Sequence, residues 1–495
     1  MRQSYFIWAI LLWFAGNHLI EEIQSNYDPR LYVNVSAVPR GNGTSRTTAF
    51  NKPQVPSNCD PTRLYVNKEA AIGGDGSSWA TAFKYLQDAL AAASCGAEIW
   101  VAKGFYFPDE GNGLADNDRD LSFNMKNGVT IYGGFTGIEV DISQRDWYAN
   151  RTYLSGDLLQ DGASYIIESN TGTTTNYEDN SYHVVRSDQI NETARLDGFL
   201  VAAGNANGGG SENNLGGGMY AISSSMSLIN CEFRNNLAVT GGGVFQTQSS
   251  LYIEKCIFRA NSVGAGGGGM YIYNGSGPSI YNCVFQANYV NENIAAGSGG
   301  GVYINQNSNP YFINCTFSGN YARTGGAVTN ISNATPIFFN TIIWKNATGL
   351  PRAFHADQVV SDPTSSADYY NSILQFIDLP DPSNLDGTDP HFIFDLFSEK
   401  APLYVTNLRL EKCSPAIDKG NNGYIASSTD LGDSARFVNG TVDLGAFEFQ
   451  GVNERVWYQD LDGDTWGNSA VTILTCTPPA GYVDRGGDCN DIATP

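Results

Sequence analysis

Apolar residues in the middle of the chain fall into short rows that recur. Leu228, Ile253, Ile280, Phe312 and Phe338 each stand three positions before Cys231, Cys256, Cys283, Cys315 or Thr341. Phe233, Phe258, Phe285, Phe317 and Ile343 stand two positions beyond. Apolar positions two apart, rich in β-branched and aromatic types, predict short strands. A glycine run opens each unit, at 216–218, 241–243, 267–269 and 299–301. From the last Gly of a run to the Cys is 13 residues in two units and 14 in the other two. Asn236, Asn261, Asn288, Asn320 and Asn346 each follow their Cys or Thr by five. Self-similarity at this period predicts a stacked solenoid.

A unit this short cannot bury both faces of its strands alone, so the units stack as coils of a parallel β-helix. Asn suits a fixed corner, because it tolerates the left-handed conformation and can bond along the stack. The glycine runs suit strand starts where backbones turn sharply or approach closely. The Cys row faces inward. Stacked neighbours keep Cβ atoms about 4.8 Å apart, longer than the roughly 3.8 Å that a disulfide prefers. Cys231, Cys256, Cys283 and Cys315 therefore read as small buried hydrophobes. A metal ladder is the alternative, but no His accompanies them.

Alternation also places aromatics outward. Met219, Val244, Met270 and Val302 face the core, so Tyr220, Phe245, Tyr271 and Tyr303 form a ladder along one outer face. Such a ladder can stack on sugar rings, or it can simply stabilise the sheet through neighbouring aromatic pairs.

Towards the N-terminus the period changes. Ala82, Phe83, Leu86, Ala89, Leu90 and Ala93 keep helical spacing, with Ser78 or Thr81 as N-cap. A helix over 81–94, followed by a strand at 98–102, would cover the open end of the solenoid. Residues 30–50 align without gaps to 63–83, with 12 of 21 positions identical. This partial duplicate has no assigned role.

The 495-residue chain exceeds one ordinary domain, and its 55 Gly with 16% charged residues suit a turn-rich solenoid. A net charge of −22 argues against nucleic-acid partners, which need a basic face. Residues 1–25 read as a secretory signal, with Arg2 before an apolar core at 6–16. The alternative is an uncleaved anchor, and no transmembrane span is expected in the mature chain. Export permits disulfides, for which Cys59–Cys95 and Cys476–Cys489 are the candidate pairs, leaving Cys413 over. The organisation read from these features is a signal at 1–25 and a linker with the duplicate at 26–62. The cap and first coils then occupy 63–195, the repeat coils 196–375, the end of the β-helix 376–449 and an acidic tail 450–495.

Several segments occur in a familiar order: LYVNKEAAIGGDGSSWATAFKYLQDAL, EIWVAKGFYFPD, VTIYGGFTGIEVDISQRDWYANRTYLSGD, NSYHVV and LDGFLVAAGNANG. DPHF at 389–392, CSPAIDKG at 413–420 and VDLGAFE at 442–448 follow. Across about 63–449 the chain resembles bacterial surface proteins of the choice-of-anchor Q type, with a right-handed, pectate-lyase-like parallel β-helix. The resemblance implies an all-β, right-handed parallel β-helix solenoid. It also implies a secreted or bacterial cell-surface location, associated with the outer membrane. The expected role is a mostly non-catalytic scaffold or adhesin that binds a polysaccharide or another surface ligand.

The tail resembles the short Asp-rich metal-binding repeat of bacterial surface proteins. Asp460, Asp462 and Asp464 alternate around Gly463, and the Trp466 carbonyl falls where a backbone ligand belongs. Ca²⁺ takes six to eight oxygens, so more must come from elsewhere, with Asp488 and Asp491 the best candidates. The EF-hand pattern is not met, because Thr465 and Val471 stand at its Gly and Glu positions. A solvated acidic tail is the alternative.

A glycosidase needs two flanking carboxylates. Residues 216–346 contain no Asp and no His, and their three Glu, Glu232, Glu254 and Glu292, make no obvious pair. No catalytic residue is assigned. The enzyme alternative, a polysaccharide lyase or glycoside hydrolase, would have to use acids outside the coils, at 109–120 or 378–389.

Overall fold

The computed structural model describes residue 59 and residues 61–161, 177–291, 297–349, 356–375, 381–394, 407–451 and 454–488. The signal and most of the linker lie outside these residues. Among the described residues, no helix is long and apolar enough to cross a membrane.

The repeat builds a parallel β-helix with four stacked sheets. One coil shows the plan: Ser227–Ile229, Glu232–Arg234, Leu237–Thr240 and Val244–Thr247 belong to the first, second, third and fourth sheets in turn. Among the described residues these sheets contain ten, ten, six and eight strands, and every pairing within them is parallel. Register is kept in whole rows. Leu228 pairs with Ile253, Ile253 with Ile280, and Ile280 with Phe312. The expected interior follows, because Cys231, Cys256, Cys283 and Cys315 are free, buried and part of the main core. Their thiols donate to backbone carbonyls, Cys283 Sγ to Tyr281 O at 3.0 Å.

The corner asparagines bond along the stack. Asn236 Nδ2 donates to Asn261 Oδ1, Asn261 to Asn288, Asn288 to Asn320 and Asn320 to Asn346, at 3.1, 2.9, 2.9 and 2.8 Å. The left-handed residue is the one before, however: Asn235, Ala260, Ala287, Gly319 and Lys345. The ladder Asn is thus chosen for its amide, and the turn is made by its neighbour. The Gly reading holds on both counts. Gly241 has φ +67°, and a Cβ on Gly243 would lie 2.4 Å from Gly269 O.

The N-terminal helix is shorter than expected, Leu86–Ala92, after a 3₁₀ turn at Trp79–Thr81. Phe83 does not join it because its backbone pairs with the first strand: Phe83 N donates to Tyr65 O at 2.9 Å. Leu86, Ala89 and Leu90 face the core. Lys126 Nζ donates to Leu90 O and Ala93 O at the helix C-terminus, where a cation is favoured.

Residues 407–449 do not extend the stack. After the last parallel strand, Leu385–Asp386, an antiparallel pair forms from Phe392–Phe394 and Asn407–Leu410. The following segment folds back over the outer face of the second sheet, where Leu408, Leu431, Leu444 and Ala446 cover Val284, Ile342 and Trp344. The tail is a three-stranded antiparallel sheet of Arg455–Gln459, Asn468–Thr475 and Tyr482–Val483.

Cys59–Cys95 is bonded as expected. The pairing Cys476–Cys489 is corrected: Cys476 bonds Cys413. Pairing of Arg455 with Thr475 brings the end of the tail hairpin beside the flank, where Arg455 also meets Glu411 at 3.5 Å. Proximity in sequence favoured Cys489, and proximity in the fold favours Cys413.

Candidate functional site

The aromatic ladder is present and continuous. Tyr220 stacks on Phe245, Phe245 on Tyr271 and Tyr271 on Tyr303, with centroids 5.7, 5.3 and 4.8 Å apart. His183 and the Arg186 guanidinium extend it beyond Tyr220. Tyr220 and Phe245 are only 3% and 4% exposed, and Tyr271 and Tyr303 are half-buried. Little ring face is left for a sugar at the first two positions.

In the tail, Asp460, Asp462 and Asp464 offer one carboxylate oxygen each within 4.8 Å of one another. The loop is shaped by its own acids: Asp460 accepts from Gly463 N and Thr465 N, and Asp464 accepts from Trp466 N. Asp488 N donates to Gly467 O, which sets Asp488 beside the end of this loop. Asp491 lies outside the described residues. Three hard carboxylates fit Ca²⁺ as a partial donor set. A second trio, Asp157, Asp161 and Asp179, was not singled out from the sequence.

A groove of about 810 Å³ lies between the second sheet and the returning flank. Its floor is the outward rows of that sheet. Tyr153, Leu200, Glu232, Ile257 and Val284 follow one another in register, and Arg234, Arg259 and Gln286 form the next row. The rows follow from the repeat. The Phe two beyond each Cys points in, so positions one and three beyond it point out.

One wall is 146–151. It enters through the 3₁₀ turn Ile142–Gln144, closed by a capping box from Asp141 and Gln144. Arg145 pairs with the buried Asp197 and pins the turn to the solenoid. Trp147 and Tyr148 then meet edge to face, and Arg151 lies 4.5 Å from the Tyr148 ring centroid. The other wall is the flank. Arg409 stacks on Phe447 at 4.7 Å. Asp433 accepts from Trp147 Nε1 at 3.0 Å and pairs with Lys255 Nζ at 2.7 Å, joining both walls to the coil. Lys255 also donates to Thr429 Oγ1.

Glu232 is buried under three guanidiniums: Arg259 at 2.6 Å, Arg151 at 3.4 Å and Arg234 at 3.7 Å. Burial alone would raise its carboxyl pKa, but the arginines outweigh burial and hold it below the ordinary value. It is a fixed anion and not a proton donor. The other groove acids are also engaged, Asp433 as above and Asp146 by the backbone amides of Tyr148 and Ala149.

Sequence reading saw Glu232, Arg234 and Arg259 only as sparse charges. Their signal was the row: Arg234 and Arg259 each stand three beyond their Cys, in adjacent coils. The walls had no such signal, since Trp147 and Asp433 are 286 residues apart.

No family model matches the chain, and no curated protein does. Among solved structures it is similar to pectate lyase Pel9A, at 14% identity over 80% of this chain and 98% of that one, TM-score 0.36. A rhamnogalacturonan lyase is 12% identical over 63% and 87%, TM-score 0.30. Pectin methylesterase PemA from Erwinia chrysanthemi is 11% identical over 63% and 89%, TM-score 0.29. These values are too low to carry any chemistry from those proteins to this chain, whose parallel β-helix is established by its own sheets.

Proposed function

We propose that the protein is a secreted or cell-surface β-helix scaffold of the adhesin kind. It binds carbohydrate in the groove over the second sheet and does not cleave it. The observation that carries this reading is the pairing of an aromatic wall, Trp147 and Tyr148, with guanidiniums on a rigid floor, while every groove carboxylate is already engaged. Sugar rings present apolar faces to aromatics and hydroxyls to charged groups, so such a mixed lining suits them. With Tyr220 and Phe245 largely covered, the aromatic ladder is assigned to stabilising the fourth sheet.

The test is a glycan array followed by long incubation with each bound polysaccharide. Retention without product supports the reading. New reducing ends or unsaturated products would establish the enzyme reading instead. That second reading rests on the cap loop, where burial raises the carboxyls of Asp109 and Glu110.

The tail is proposed to be a Ca²⁺-stabilised module, with Asp460, Asp462 and Asp464 as ligands and Trp466 O, Asp488 and Asp491 completing the set. Calorimetric titration of the full chain with Ca²⁺ should give one strong site that Asp462→Asn removes. No heat from the unaltered chain would refute it.

A further inference from the structure

We infer that the groove selects acidic sugars, bearing carboxylate or sulfate, over neutral ones. This rests on the reading of the groove as a carbohydrate site. The chain as a whole carries −22, yet the groove gathers four guanidiniums, Arg151, Arg234, Arg259 and Arg409. Against them stand Asp146, Glu232 and Asp433. Asp433 is matched by Lys255, so four guanidiniums face two carboxylates. Glu232 lies beneath the guanidiniums, so it neutralises from below and leaves their outer edges toward the groove.

Arg234 shares Glu232 with Arg151 and Arg259, so one carboxylate serves three guanidiniums. Arg409 has a ring beneath it and no carboxylate beside it among the described residues. A planar carboxylate or a sulfate oxygen supplies the acceptor that a guanidinium without a carboxylate neighbour lacks. Arg234 stands on the floor and Arg409 on the flank, so a ligand anion would meet charge from two elements. Tyr148, 68% exposed, offers its ring at the rim for the sugar face.

The experiment titrates the full chain with a galacturonate hexamer, the same hexamer methyl-esterified, a sulfated oligosaccharide of equal length, and inorganic sulfate. The acid form should bind about ten-fold more tightly than the ester, the weight of about one charge-assisted hydrogen bond. That preference should shrink as salt is raised. Arg234→Gln and Arg409→Gln should each weaken binding of the acid form about ten-fold and that of the ester by much less, so that the ratio between the two falls. Arg409 lies on the flank, so its variant carries the test if Arg234→Gln melts early. Comparison of the uronate and sulfated arms says which anion is preferred. Equal binding of acid and ester would overturn the inference and leave the carbohydrate reading intact. Binding of inorganic sulfate as tight as the sulfated sugar would also overturn it. Failure of every sugar, charged or neutral, would sink both.

Discussion

The interior of the coils and the groove outside the second sheet are built on the same strands, yet they obey different rules. Inside, every row is apolar or a ladder of one polar type, and the Phe, Cys and Asn rows place like residues on one another. Phe233, Phe258, Phe285 and Phe317 stack at 5.3, 4.7 and 4.6 Å. Outside, one row holds Tyr153, Leu200, Glu232, Ile257 and Val284, an aromatic ring and a carboxylate among aliphatic side chains. Repetition stabilises because identical neighbours satisfy one another. Variation of the outward rows costs the stack little, so that is where specific chemistry can be placed.

The largest expected effect lies in the interior. Phe258→Ala should destabilise the protein by about 3–5 kcal/mol, read by denaturant unfolding, because its cavity is closed by stacked rings that cannot collapse. A much smaller loss would mean that the coils relax independently. Next, Asn288→Leu should cost about 1–3 kcal/mol for each buried group left without a partner, and the ladder gives it several, including Phe258 O. Hydrogen exchange should show protection falling in the adjacent coils first.

The flank should respond to pH where the coils do not. Burial raises the carboxyls of Glu448 to about 8 and Asp443 to about 6. Groups raised in this way stabilise the fold fully below their unfolded pKa, near 4.5, and lose that contribution as pH rises through 8. Thermal stability should therefore fall between about pH 5 and about pH 8.5, and Glu448→Gln should flatten the trend. A flat profile in the unaltered chain would break this contrast. The smallest effect is expected at the ladder: Tyr271→Leu should cost about 0.5–1.5 kcal/mol and leave glycan retention unchanged. Lost retention would return the ladder to the binding surface.

What could be read from the sequence divides along the same line. Gly243, Cys256 and Asn261 were legible because a period turns each into a row, and a row has a direction. The mistake about which residue takes the left-handed conformation was local. Asn235 precedes Asn236, and the repeat pattern alone does not separate a turn-maker from an amide donor. The groove was half legible: the floor could be counted from Cys231 and Cys256, but the flank could not. Nothing periodic links Arg409 or Asp433 to the coils, since their placement depends on apolar contacts of Leu431 and Ala446 with a sheet far away in sequence. The Cys413–Cys476 bond escaped for the same reason.

That bond also has a mechanical meaning. A pull applied to the chain beyond Cys476 reaches Cys413 directly, across a separation of 63 residues. The strands of the tail hairpin and the flank segment bearing Leu431, Asp433 and Phe447 lie within that span, out of the line of tension. Tension would thus pass from Cys413 into the strand Asn407–Leu410, while the part of the wall that carries Asp433 and Phe447 stayed unloaded.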